Sequence, residues 1–278
     1  MRGYRHFLIK PASGFCNMRC DYCFYADEIK ERTEKDYGMM STETAHHLVD
    51  LAFSGLDSGF VTFGFQGGEP TTRGMDFFRD FCAYARKKAY GTMIDVNFSI
   101  QTNGFLIDRE WASFFAENHF LVGLSMDGYG KIHDTYRHIP GGKGSFKYVF
   151  RASNLFKQAG VEFNILSTVN NLVSLHAEEI YSFFKKNGFN HLQFIPCIDA
   201  IGGDRGSHPW SLDAAEYGRF LKKLFPLYFN DWKRGDFTSI RYFDNLVLML
   251  TGEMPEACGM AGVCSRNMVV EADGSVFP

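Results

Sequence analysis

Three cysteines stand close together in Cys16-Asn-Met-Arg-Cys20-Asp-Tyr-Cys23. Thiolates spaced this tightly can converge on one metal centre. Ferredoxin-type [4Fe-4S] clusters are held by four cysteines, so three ligands would leave one iron open to a cofactor or substrate. A structural zinc knuckle is the competing reading, and zinc calls for a second half with two more close ligands. The chain has seven cysteines, at 16, 20, 23, 82, 197, 258 and 264. An odd number without a secretion signal argues against a disulfide framework and for metal or redox chemistry. Cys82 lies on the apolar stripe of a predicted helix and Cys197 ends a predicted strand, and both read as core thiols.

A second constellation is Phe65-Gln66-Gly67-Gly68-Glu69-Pro70. Paired glycines let a backbone approach a ligand closely, and the carboxylate beside them can accept hydrogen bonds from an ammonium group. Other polar residues fall where strands should end, in Gln101-Thr102-Asn103-Gly104 and in Leu124-Ser125-Met126-Asp127-Gly128. Arg137 follows in the next loop, and its guanidinium is suited to clamp a carboxylate. A third constellation is Cys258-Gly-Met-Ala-Gly-Val-Cys264, followed by Asp273-Gly274, a strong hairpin-turn signal. The nine histidines form no His-Glu-x-x-His pair, and Gly141-Gly-Lys-Gly-Ser lacks the leading glycine of a phosphate loop.

The elements that must position these residues alternate. Short apolar runs at Phe7–Ile9, Phe60–Phe65, Val96–Gln101, Phe120–Ser125, Val161–Val169 and His191–Ile195 read as strands buried on both faces. Between them lie helical stripes, such as Ala45, Leu48, Val49, Ala52 and Phe53 behind a Ser41 cap. Further helices are expected after Asp108 and Ser145, and a long last one behind Ser211. Six strand–helix repeats imply a parallel sheet with helical crossovers, open or as a partial barrel. Function should gather at the C-terminal strand ends in either case.

Composition narrows the class. The 278 residues are 45% hydrophobic and 22% charged with a formal net charge of −3, which gives no argument for a nucleic-acid or anionic-membrane partner. No run approaches the ~20 apolar residues of a membrane span, and the N-terminal apolar run is too short for a signal peptide. The expectation is a cytoplasmic enzyme.

Taken together, Cys-Asn-Met-Arg-Cys-Asp-Tyr-Cys-Phe-Tyr and Phe-Gln-Gly-Gly-Glu-Pro resemble the radical S-adenosylmethionine (SAM) superfamily. With Gln-Thr-Asn-Gly, Ser-Met-Asp-Gly, Gln-Phe-Ile-Pro-Cys and Cys-Gly-Met…Cys…Asp-Gly-Ser-Val, the wording is similar to anaerobic sulfatase-maturating enzymes, and it spreads over nearly the whole chain. The resemblance implies a parallel (β/α)6 partial TIM barrel over residues 1–235 and the start of a Cys-rich SPASM-type region over 236–278. It implies a [4Fe-4S] cluster on Cys16, Cys20 and Cys23, and SAM contacts from Tyr22, Gly67, Gly68, Glu69, Ser125, Arg137 and, on the adenine side, Ile198. Tyr25 and Gln66 would line the substrate side. Cys258 and Cys264 would be the first ligands of auxiliary [4Fe-4S] clusters, complete only if the chain continues. The implied activity is oxidation of a Cys or Ser in a sulfatase peptide to Cα-formylglycine, with electrons from a flavodoxin- or ferredoxin-type donor. The family's proton-accepting Asp lies beyond Pro278, so no base is named. Other expectations are a radical SAM enzyme making thioether or crosslinked peptides, or an inactive iron–sulfur fragment.

Overall fold

A computed structural model of the chain describes residues 3–32, 34, 36–200, 203–262 and 267–277. Its strands are β1 (Gly3–Ile9), β2 (Arg19–Cys20), β3 (Ser58–Phe65), β4 (Met93–Thr102), β5 (Phe120–Ser125), β6 (Arg137–His138), β7 (Glu162–Val169), β8 (His191–Pro196), β9 (Ser239–Ile240), β10 (Asn267–Val270) and β11 (Val276–Phe277). Strands β1, β3, β4, β5, β7 and β8 lie side by side in chain order, each parallel to the next. This is the six-stranded parallel sheet with helical crossovers that the alternation predicts, and it is consistent with a partial barrel.

The segment after residue 235 joins the same sheet at both edges. β9 pairs with β8, and β10 pairs in parallel with β1. The Asp273-Gly274 turn returns the chain as β11, antiparallel to β10. The hairpin was legible in the sequence. Its docking on β1, more than 250 residues away, was not.

Packing departs from the expectation of strands buried on both faces. Phenylalanines face the helices, whereas Thr62, Ser99, Gln101, Asn164 and Gln193, on the other face, are partly or fully exposed. Side chains alternate along a strand, so an apolar-rich run can still present one polar face to the inside of the half-barrel. On the buried face Phe7, Phe63, Phe98 and Phe120 are register partners on four adjacent strands. Their rings stack with centroids 6.0, 6.2 and 5.3 Å apart. Offset stacking adds about 0.5–1.5 kcal/mol per pair beyond burial, and the ladder locks the strands into the alignment that brings their polar C-terminal ends level.

Caps set the helix starts. The Ser41 side chain accepts from Thr44 N at 3.0 Å, and Asp108 from Trp111 N at 2.9 Å. One expected cap is different. The helix Ala214–Lys233 is capped by Asp213, which accepts from Ala215 N and Glu216 N, while the Ser211 hydroxyl donates to Asp199. Ser145 precedes the helix Phe146–Ala159, but its hydroxyl donates to Arg137 O and meets His133 Nε2 instead. Competing carboxylate and carbonyl partners, invisible in local sequence, took both hydroxyls. Among the described residues no helix is long and apolar enough to cross a membrane.

Candidate metal and cofactor site

Cys16, Cys20 and Cys23 lie on the loop that leaves the C-terminal end of β1. The loop is held by the β2–β6 ribbon, in which Cys20 is the register partner of Arg137, and by Asp21 N donating to Tyr136 O at 2.9 Å. Cys23 is the N-cap of the helix Phe24–Glu31. All three thiols are free and partly exposed. Burial pushes the Cys16 thiol up to about 11, and the nearby charges of Glu69 and Cys23 add to it. Burial likewise pushes Cys20 up to about 12, partly offset by Arg137, with Cys16 and Cys23 raising it further.

The three sulfurs therefore sit close enough to repel one another as thiolates, a penalty that a bound metal cluster removes. Among the described residues, however, no three His, Cys, Asp or Glu side chains are close enough to share a single ion. A four-iron cluster takes each thiolate on a different iron, and three mutually interacting thiols on one loop are a donor set of that kind.

The Gly67-Gly68 loop follows β3 and packs directly on the cysteine loop. Gly68 has φ +53°, and a Cβ there would stand 2.1 Å from Phe15 O. Glu69 N donates to that same carbonyl at 2.8 Å. A Cβ on Gly67 would meet Lys10 Cγ at 2.6 Å. The close approach that the sequence reading assigned to a ligand is thus made, at Gly68, by the cysteine loop itself. Glu69 is only 2% exposed. Its Oε1 accepts from Thr71 N (3.2 Å), Thr71 Oγ1 (2.6 Å) and Thr102 Oγ1 (2.8 Å), and its Oε2 from Asn103 N (2.7 Å). Burial still holds its pKa above the ordinary carboxylate value. Oε2 keeps capacity for a further donor.

Arg137 is buried beside Asp127. Its Nε donates to Asp127 Oδ2 at 2.9 Å and its Nη2 to Oδ1 at 3.1 Å. Thr168 N at 2.9 Å and the Tyr22 hydroxyl complete the carboxylate's partners. Burial pushes Asp127 up, but the Arg137 charge and its hydrogen bonds hold the pKa below the ordinary range. The Tyr22 ring lies 5.4 Å from the guanidinium. The sequence reading offered Arg137 to a ligand carboxylate and gave Asp127 no role. In the structure the guanidinium clamps Asp127 through two of its nitrogens, leaving Nη1. The sequence signal was the Asp of Ser-Met-Asp-Gly at a strand end, with Arg137 ten residues on.

Ser125 ends β5 at the same mouth, half-buried, while Ile198 is 72% exposed two residues beyond β8. On the opposite side of the mouth, Gln66 Nε2 donates to the Tyr25 hydroxyl at 3.1 Å. Lys10 Nζ lies 5.4 Å from the centre of the Tyr25 ring and 2.6 Å from Glu271 Oε1, which also accepts from Arg32 at 2.9 Å. No motif marked Lys10 or Glu271. They meet because Ile9 and Val270, the residues before them, are register partners across β1 and β10. Cys258 begins the short helix Cys258–Ala261 with a half-buried thiol, and Cys264 lies outside the described residues.

A parallel half-barrel with three thiols at its C-terminal mouth, and a buried carboxylate hydrogen-bonded beside them, defines a class of cluster-bearing enzyme. The profile of the Radical SAM superfamily matches residues 11–192. The cysteine-type anaerobic sulfatase-maturating enzyme of Clostridium novyi (strain NT) is 49% identical over 98% of this chain and 72% of its own length. The solved structure of native anSMEcpe with bound AdoMet superposes with a TM-score of 0.93 at 43% identity, covering 99% of this chain and 74% of that one. The same protein with bound AdoMet and the Cp18Cys peptide gives 0.92 at 42%, over the same shares. The chain belongs to the radical SAM superfamily and, within it, to the anaerobic sulfatase-maturating enzymes. Enzymes of this superfamily work with a [4Fe-4S] cluster and SAM, as the resemblance implied.

Proposed function

We propose that this enzyme oxidises a Cys side chain in a sulfatase peptide to Cα-formylglycine. The observation that carries the reading is the direct packing of the Cys16–Cys23 loop on the Gly68-Glu69 turn, with the Tyr25–Gln66 pair beside it. When bound, the cluster and SAM supply the 5′-deoxyadenosyl radical that takes a hydrogen atom from the substrate Cβ. Cys16, Cys20 and Cys23 hold the cluster. Glu69 Oε2 receives the SAM ammonium, and Arg137 Nη1 and Ser125 serve its carboxylate and ribose side. Tyr22 keeps Asp127, and through it Arg137, in place. Gly67 and Gly68 hold the turn against the cysteine loop, and Ile198 covers the adenine. Tyr25 and Gln66 orient the substrate side chain.

Residues 1–235 form the radical core on this reading, and 236–278 begin the auxiliary region, with Cys258 and Cys264 as its first ligands. A flavodoxin- or ferredoxin-type protein supplies electrons in the cytoplasm. The identity to a cysteine-type relative favours Cys over Ser as the target. The test is 5′-deoxyadenosine formation by the anaerobically reconstituted, reduced chain, with and without a Cys-type sulfatase peptide. The expected result is formation stimulated by peptide, with formylglycine product. SAM cleavage without peptide oxidation would point to a different substrate.

A further inference from the structure

We propose that Asn103, with Asn17 beside it, donates N–H···S hydrogen bonds to the cluster at Cys16 and so sets its reduction potential. The inference rests on Cys16, Cys20 and Cys23 being the cluster ligands. The Asn103 amide has one orientation. Its Oδ1 accepts from Phe105 N at 2.9 Å, so Nδ2 is the atom on the far side. That Nδ2 lies 2.9 Å from Asn17 Oδ1 and 3.7 Å from Cys16 Sγ. A primary amide carries two N–H donors, one for each.

This contact orients Asn17 in turn. With its Oδ1 occupied, its Nδ2 is buried and has no partner among the described residues. A buried unsatisfied amide donor is costly, and a cluster sulfur next to Cys16 is an acceptor of the required kind. Met18 N already donates to Cys16 Sγ at 3.4 Å. Asn103 also reaches the other motif, since its backbone N donates to Glu69 Oε2. One residue therefore links the cluster ligand to the buried carboxylate.

The direction follows from charge. Reduction adds an electron to the cluster, and N–H dipoles aimed at its sulfurs stabilise the more negative state, which raises the potential. The experiment is a redox titration of the anaerobically reconstituted chain without SAM, followed by electron paramagnetic resonance, with iron and sulfide measured in each variant. Asn103→Ala should lower the reduced-to-oxidised ratio at fixed potential about tenfold, which is 59 mV for a one-electron couple. Asn17→Ala, which changes no charge, should shift it in the same direction by less. Asn103→Ser keeps a short side-chain oxygen that can accept from Phe105 N, adds no charge and deletes both amide donors, so it carries the test if Asn103→Ala fails to fold. Full iron content with unmoved potentials in the Asn103 variants overturns the proposal. So does loss of the cluster from both of them while Asn17→Ala keeps the wild-type potential, because the amides are then only structural. Failure of the wild-type chain itself to bind iron would sink the cluster assignment instead.

Discussion

At Glu69, four donors from three residues converge on one buried carboxylate. The charge is held in place before any ligand arrives, and it is aimed by Thr71, Thr102 and Asn103 rather than by its own flexibility. Glu69→Gln preserves the shape but removes the charge and turns an amide donor toward other donors. The expected outcome is a loss of about 1–3 kcal/mol of stability from the mismatched buried groups, with SAM affinity at least roughly tenfold weaker, or about 1.4 kcal/mol. Equilibrium dialysis with SAM measures this on the loaded enzyme, and unchanged affinity would remove Glu69 from the SAM ammonium. The local motif marked this residue as a candidate ammonium partner. Its three supporting residues were not legible, because two of them sit at the end of a different strand and become neighbours only through the β3–β4 pairing.

The strands carry the next level of order. The Phe7–Phe63–Phe98–Phe120 ladder fixes the register of four strands, and register decides which residues share the C-terminal mouth. Phe98 stacks on both sides, at 6.2 Å from Phe63 and 5.3 Å from Phe120. Phe98→Ala is expected to destabilise by about 3–5 kcal/mol, read from urea unfolding, whereas Tyr90→Ala, at a 90% exposed site, should stay within about 0.5 kcal/mol. Similar losses at the two positions would mean that Phe98 contributes no more than an exposed ring. The strand pattern itself was readable, and Phe120–Ser125 agrees with β5 to the residue. The helix cap at Ser211 was misread because a hydroxyl next to a helix start has other partners once the chain is folded.

Whole-molecule stability is tied to pH through the network behind the site. His133 is buried, with Nδ1 accepting from Asp127 N at 3.3 Å and Nε2 facing the Ser145 hydroxyl at 2.9 Å. Burial, helped by the Arg137 charge, pushes its pKa down to about 3. Below the ordinary value of 6.5 the unfolded chain binds a proton that the folded chain refuses, so stability is lost as pH falls from about 6.5 toward 3, by up to about 1.4 kcal/mol per pH unit. Asp127, held below the ordinary carboxylate range, adds loss of the same sign at lower pH. Glu69, held above it, opposes this just above the ordinary carboxylate value. Thermal unfolding between pH 7 and 4.5 should show the slope, and His133→Gln should flatten it. An unchanged slope would place the acid sensitivity elsewhere. Sequence alone determined the chemical groups of the chain: three close thiols and a carboxylate beside paired glycines are local words, and strand–helix alternation is a local period. Only the tertiary structure decided that Asp127 is the partner of Arg137, that Lys10 meets Glu271, and that Asn103 links Cys16 to Glu69. Those pairings span from ten to more than two hundred residues, and strand register and loop packing, which no local pattern encodes, bring them together.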